Sequence, residues 1–206
     1  MSKKKIILTL LIIIFGGYVG WQLLSSSIHT QTYHYKWLYN KMSEPEYIQT
    51  FRDFCKNDLN DSIENLNYSQ LISWEHKYLT YTQENFARRE MPIIILKSYI
   101  TDGIAFGRCG EFALLFNGLC LANGYKTRLV FDASVLTNRS KSSAGDHVWV
   151  EVWVDNRWLH IDPTENRIND KYMYYNDWNK DINNVVAITK DDSGNVVTVD
   201  VTKDYQ

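Results

Sequence analysis

The sequence contains no C-x-x-C pair, and its cysteines are only three, Cys55, Cys109 and Cys120. The first absence excludes a thioredoxin-type redox site and a zinc ribbon. The odd number excludes a closed disulfide framework, because at least one thiol stays free within a single chain. If 109–123 is helical, a rise of about 1.5 Å per residue puts Cys109 roughly 16 Å from Cys120, beyond disulfide reach, so only Cys55 could bridge to either. An excess of one charge sign is also missing. With 22 Lys and Arg against 24 Asp and Glu, the net charge is -2, which leaves no electrostatic footprint for nucleic acid. No internal repeat is visible. At 206 residues the chain holds one membrane segment and one domain able to bury its own core, not two catalytic domains.

What is present begins with a basic leader, Met1–Lys5, followed by an uncharged and mostly apolar run from Ile6 to Leu24. Its length, about nineteen residues, suits a single bilayer span. Lys3, Lys4 and Lys5 precede the run and the next positive residue is Lys36, so the bias predicts a single-pass protein with the N-terminus inside and the remainder outside the cytoplasm. Trp21 stands where an interfacial anchor belongs. The alternative is a signal peptide cleaved near Ser25, Ser26 and Ser27, which leaves a secreted protein. The expected organisation is therefore a leader and transmembrane anchor (or signal peptide) over 1–27, a polar and aromatic stalk over 28–44, and a folded domain over 45–206.

Within that domain a helical part, 45–91, precedes a core, 92–206. Pro45 suits a first helical turn with Ser43 as cap, and Tyr47, Phe51, Phe54 and Cys55 follow at helical spacing. A second helix is expected from Ser69 to Arg89, with Leu71, Ile72, Trp74, Tyr78 and Leu79 on its buried face. Pro92–Ile100 is compact and apolar, and periodicity does not decide between strand and buried helix. Phe112, Ala113, Leu115, Phe116, Leu119 and Cys120 make an apolar helix that stops at Asn123 and Gly124. The period then changes. Lys126–Asp132, His147–Val154, Arg157–Asp162, Asn184–Thr189 and Asn195–Val201 read as strands, with a loop over Ala133–Gly145 and an aromatic cluster at Tyr172, Tyr174, Tyr175 and Trp178. A helical half followed by an antiparallel half is an α+β domain.

A cysteine becomes a nucleophile where its thiolate is stabilised, and a helix start supplies partial positive charge and free backbone donors. Cys109 sits at such a start, after Arg108 and the turn residues Gly103 and Gly107. Cys120 lies inside the apolar helix as packing material. In the hairpin, Val148, Val150, Val152 and Val154 point one way while His147, Trp149, Glu151 and Trp153 point the other. With Asp155–Asn156 as a two-residue turn, Val154 faces Arg157, and Trp158, His160 and Asp162 join the face of His147. His147 and Asp162 are then diagonal neighbours, about 7 to 8 Å apart along the backbone and within side-chain reach. A Cys/His/Asp relay needs that arrangement: the aspartate orients the imidazole, and the imidazole takes the thiol proton. His160, mid-strand and opposite Glu151, is assigned to packing or ion pairing. A metal site on Cys109, His147 and Asp162 lacks the close ligand pairs of zinc motifs.

The motifs GRCGEFA, DHVWVEVW, RWLHIDPTEN and the closing WNKDINNVVAITKD with VDVT resemble the transglutaminase-like superfamily, and within it the peptide N-glycanase branch, over roughly 93–205. The resemblance implies a papain-like core in which a cysteine-bearing helix packs on an antiparallel sheet. It implies Cys109 as nucleophile, His147 as base and Asp162 as orienting acid, with Trp149, Trp158 and Glu165 contacting substrate in the cleft. No cofactor is expected for this chain. The chain departs from that branch in lacking the paired C-x-x-C zinc ligands upstream of the cysteine and in carrying an apolar N-terminal run. The expected activity is thiol-dependent amide hydrolysis through a thioester, on a peptide, protein or glycoprotein, with asparagine-linked glycopeptides leading. The alternatives are a cysteine peptidase, a transamidase, and a non-catalytic binding domain of the same fold.

Overall fold

A computed structural model describes residues 32–83, 90–132, 147–169 and 185–205. The Ile6–Leu24 run, the Ala133–Gly145 loop and the Tyr172–Trp178 aromatic cluster lie outside the described residues. Among the described residues no helix is long and apolar enough to cross a membrane.

Lys36–Gln206 makes one unit, entered through helix α1 (32–42). Leu38, Tyr39 and Met42 are buried, and Tyr39 Oη donates to the carbonyl of Thr127 at 2.8 Å. The stalk expected over 28–44 is corrected accordingly: its second half carries core side chains. Ser43 donates to the carbonyl of Asn40 and so closes α1. It does not cap α2 (Pro45–Asn57), whose N-cap is Glu44. Helix α3 (Tyr68–Tyr78) opens on a reciprocal cap, the Gln70 N–H donating to Asn67 Oδ1 at 3.0 Å and the Asn67 N–H to Gln70 Oε1 at 2.9 Å. It ends eleven residues before the expected Arg89. The next residues, Leu-Thr-Tyr, favour extended backbone and form β1 (Leu79–Tyr81), which pairs in parallel with β2 (Ala105–Gly107). The Pro92–Ile100 ambiguity resolves as helix α4 (Pro92–Asp102), closed by Gly103 at φ 72, a left-handed cap that glycine adopts without strain.

Helix α5 (Cys109–Ala122) is buried continuously from Gly110 to Cys120, as a helix apolar all round must be. It packs on α2, α3 and α4 and on strands β3 (Thr127–Asp132) and β4 (Val148–Val154). Gly118 permits the approach of α4, since a Cβ there would lie 2.8 Å from Pro92 Cγ. The larger sheet runs β6-β5-β4-β3-β7-β8 and is antiparallel throughout, with β5 (Arg157–Asp162), β6 (Arg167–Ile168), β7 (Val185–Lys190) and β8 (Val196–Asp200). A 3₁₀ turn, Thr202–Tyr205, follows β8.

The hairpin register is the one that valine parity requires. Val154 pairs with Arg157, Val152 with Leu159 and Val150 with Ile161. Asp155 and Asn156 at φ 50 and 59 give the left-handed pair of a two-residue turn, whose twist matches the strands. Val150 and Ile161 are fully buried, so a one-residue slip would exchange the apolar set with the face that carries Trp149, Glu151 and His160. This register carries His147 to the start of one strand and Asp162 to the end of the next.

Candidate active site

Cys109 is the first residue of α5, and the Phe112 N–H already bonds the Arg108 carbonyl at 3.0 Å. Glu111 reaches back to accept the Arg108 N–H at 2.9 Å, which fixes the entry of the chain. Gly107 is required just before it: a Cβ there would meet Glu111 Cβ at 2.8 Å and Leu79 at 3.1 Å. Cys109 is half-buried, whereas Cys55 and Cys120 are buried; none of the three is joined in a disulfide. Burial pushes the Cys55 thiol up to about 12, helped by the negative charge of Asp61, and burial raises that of Cys120 well above the usual range.

His147 immediately precedes β4 and is 5% exposed. Its Nε2 lies 2.5 Å from Asp162 Oδ2, and the imidazole also shares a hydrogen bond with the Cys109 side chain. Burial pulls its pKa down, but the hydrogen bonds to Asp162 and Cys109 and the charges on both outweigh burial and raise it to about 9. The carboxylate of Asp162 is wholly buried and held from its other side. Its Oδ1 accepts the N–H groups of Thr164 at 3.0 Å and Glu165 at 3.3 Å, an arrangement set by the turn that Pro163 opens. The structure thus brings Cys109, His147 and Asp162 into one chain of contacts, with the imidazole in the middle.

The three expected cleft residues are placed differently from one another. Trp149 is 1% exposed and stacks on His147, with ring centroids 5.8 Å apart at 26°. Its indole supports the imidazole from within and offers no open surface to a substrate. Trp158 is half-buried near the hairpin turn, edge-on to Trp153 at 5.1 Å and beneath the Arg128 guanidinium at 3.9 Å. It lies four strand positions from Asp162, about 13 Å. Glu165 is exposed and holds Asp162 through its backbone.

Several participants escaped the sequence reading. His76 Nε2 lies 2.7 Å from the Pro163 carbonyl, so α3 braces the turn after Asp162. The adjacent Glu75 is fully buried with no hydrogen-bond partner on either oxygen. Burial first, and then the charge of Asp162, push its carboxyl well above the usual range despite the backbone of Phe116 nearby. Its signal was available: Glu75 falls three and four residues after Ile72 and Leu71, on the face assigned to the core. Tyr205 is a second such residue, hydrogen-bonded to Trp149. Among the described residues no group of three His, Cys, Asp or Glu gathers as a metal site.

The model of the transglutaminase-like superfamily matches residues 53–163, from within α2 to the residue after Asp162. The chain belongs to that superfamily. The match contains the cysteine-bearing helix, the hairpin and the Cys109–His147–Asp162 contacts in a single span. Curated relatives within reach of this transglutaminase-like chain are named peptide-N(4)-(N-acetyl-beta-glucosaminyl)asparagine amidase. The Drosophila melanogaster protein is 40% identical over 102 residues, 48% of this chain and 14% of its own length. The Arabidopsis thaliana protein is 39% identical over 101 residues, 48% of this chain and 12% of its own, and the human one 37% over 101 residues, 48% and 13%. The chain therefore spans only a small part of these relatives. A solved structure, Rad4–Rad23 bound to a 6-4 photoproduct lesion, has a similar fold, with a TM-score of 0.51 at 12% identity over 89% of this chain and 47% of the other.

Proposed function

We propose that this chain is a thiol-dependent amide hydrolase acting on asparagine-linked glycopeptides, with Cys109, His147 and Asp162 as its catalytic residues. The observation that carries the reading is the position of His147, between Cys109 on one side and Asp162 Oδ2 on the other. Its support from sequence is the 37–40% identity to enzymes named as asparagine amidases.

In this mechanism the Cys109 sulfur attacks the carbonyl carbon of the side-chain amide and the carbonyl electrons move onto oxygen. The first-turn N–H groups of α5, where backbone donors point out of the helix end, stabilise that oxyanion. The imidazolium of His147 gives its proton to the departing nitrogen, the C–N bond breaks, and a thioester remains on Cys109. Neutral His147 then takes a proton from water, hydroxide attacks the thioester, and the Cys109 thiolate leaves as aspartate is released, which restores the thiolate–imidazolium pair. Asp162 keeps the imidazole oriented and balances its charge. Because Nε2 is engaged by Asp162, Nδ1 is the nitrogen that serves the sulfur. In this reading Glu165 stands at the rim of the site for substrate contact, and Trp149 acts from beneath His147.

The test is incubation of the protein with an asparagine-linked glycopeptide and with matched plain peptides, followed by mass analysis of the products. Conversion of the glycosylated asparagine to aspartate supports the reading. Cleavage of plain peptides alone points to a peptidase, and no product from any amide contradicts hydrolysis. Membership of the transglutaminase-like superfamily favours one second reading, resolution of the thioester by an amine; incorporation of a labelled primary amine distinguishes it from water release. The Ile6–Leu24 run is proposed as a membrane anchor that holds the domain outside the cytoplasm, and extraction of the full chain from membranes by detergent but not by salt tests that.

A further inference from the structure

A group of buried polar side chains adjoins His147 without belonging to the relay. Trp149, Glu151, His160 and Tyr205 are 1%, 4%, 3% and 6% exposed. They meet at one atom, the phenolic oxygen of Tyr205, which the 3₁₀ turn after β8 delivers. Trp149 Nε1 donates to it at 2.8 Å, it donates to Glu151 Oε1 at 2.6 Å, and His160 Nδ1 lies 3.2 Å away.

A phenol has one proton to give and two lone pairs to offer. An ionised carboxylate only accepts, so the O–H points to Glu151, whose charge is matched by Arg128 with Nε 3.3 Å from Oε2. An indole N–H only donates, so Trp149 takes one lone pair. The lone pair that remains can be satisfied by His160 only if Nδ1 carries a proton. One hydroxyl thus fixes the direction of three buried hydrogen bonds and the tautomer of an imidazole. The phenol keeps its proton throughout: burial, then the charge and hydrogen bond of Glu151, raise its pKa well above the usual range, against the lowering by Trp149 and Arg128.

The ring contacts connect this hub to the site. Trp149 is tilted against His160 at 5.7 Å and edge-on to Tyr205 at 5.4 Å, while its near-parallel face lies on His147 at 5.8 Å. An indole held by a buried hydrogen bond at one edge cannot rotate without orphaning that bond, which costs more than the bond itself contributes. We propose that Tyr205 is a positioning residue: through its hydroxyl it locks Trp149 and thereby the plane of the His147 ring that faces Cys109. The inference rests on the reading of Cys109 and His147 as a working pair, and its tests need no substrate.

The first test is the pH dependence of Cys109 alkylation by iodoacetamide in the full chain, for wild type, Tyr205→Phe and Thr189→Ala. Thr189 donates to the Thr127 carbonyl at 2.9 Å, and serves as a control for lost stability outside the hub. Tyr205→Phe is expected to slow alkylation at neutral pH by about tenfold and to shift the profile, while Thr189→Ala lowers thermal stability and follows the wild-type profile. A Tyr205→Phe profile superimposed on wild type, or an equal shift in Thr189→Ala, overturns the proposal. The second test uses the wild-type chain, so it stands if Tyr205→Phe does not fold. In ¹⁵N NMR spectra at neutral pH His160 is expected as the Nδ1–H tautomer, and an Nε2–H neutral ring overturns the hub. Failure of amide hydrolysis with both results as expected would count against the proposed reaction and leave Tyr205 in its role.

Discussion

His147 and Asp162, fifteen positions apart, are joined by an Nε2 to Oδ2 contact of 2.5 Å in which the carboxylate is held from behind by two backbone N–H groups. The imidazole is therefore oriented by a group that cannot itself turn. Asp162→Asn keeps the shape and removes the charge. It is expected to lower kcat/KM by about 10³ to 10⁴-fold and to bring the His147 midpoint below about 9; steady-state kinetics and an NMR titration measure the two effects.

The same elevation has a consequence for stability. The folded pKa of His147, about 9, lies above its ordinary value of 6.5, so the folded state binds the proton more tightly. The resulting stabilisation is complete below about pH 6.5 and is lost as pH rises through about 9. Thermal unfolding of the wild type should show a falling midpoint across that window. His147→Gln, which does not titrate, should lose that part of the slope.

Glu75 acts in the same direction at lower pH. Its folded carboxyl titrates well above 4.5, so stability is lost progressively as pH rises from the unfolded glutamate value, about 4.3. Glu75→Gln removes the titration. The stability of the variant relative to wild type is expected to increase as pH is raised above about 4.3, as read from urea unfolding at several pH values. A constant difference across that range would show that Glu75 is not held as a neutral acid.

The three thiols should differ sharply in reactivity. Cys55 and Cys120 are fully buried with thiols pushed up by burial, while Cys109 is half-buried beside His147. Under native conditions near neutral pH iodoacetamide should modify Cys109 at least about 100-fold faster than the others. Peptide mapping of the alkylated protein checks this.

The hairpin turn supports the register on which the site depends. Asn156 at φ 59 occupies a left-handed conformation that a β-branched residue resists, so Asn156→Val is expected to cost about 1 to 2 kcal/mol, and Asn156→Gly to cost nothing. Chemical denaturation of the two variants provides the comparison.

Much of this was legible in the residues because it depends on short periods. Valine alternation and the Asp-Asn turn determine the β4–β5 register, and that register alone brings His147 toward Asp162. The glycines before Cys109 and the Asn-Gly after the apolar run delimit α5. Other features depend on contacts made at a distance. Helix α3 stops at Tyr78 because Leu79–Tyr81 finds a strand partner at Ala105–Gly107, which no local pattern announces. Ser43 does not cap α2 because α1 claims it first. The family resemblance casts Trp149 as a cleft residue, whereas its hydrogen bond to Tyr205, 56 positions away, holds it in the interior. Glu75 was legible in principle, as a carboxylate on an apolar face, but its closeness to Asp162 emerges only when α3 is docked.

Hydrolysis by this route requires that the sulfur of Cys109 be acylated by an amide substrate. Intact-mass analysis of the protein quenched in acid during turnover of an asparagine-linked glycopeptide, with peptide mapping of any adduct, tests it most directly. An acid-stable thioester on Cys109 is expected, its added mass equal to the acyl part of the substrate, and both adduct and product should be absent from Cys109→Ala. An adduct on another residue, or glycan release by Cys109→Ala at the wild-type rate, would contradict it.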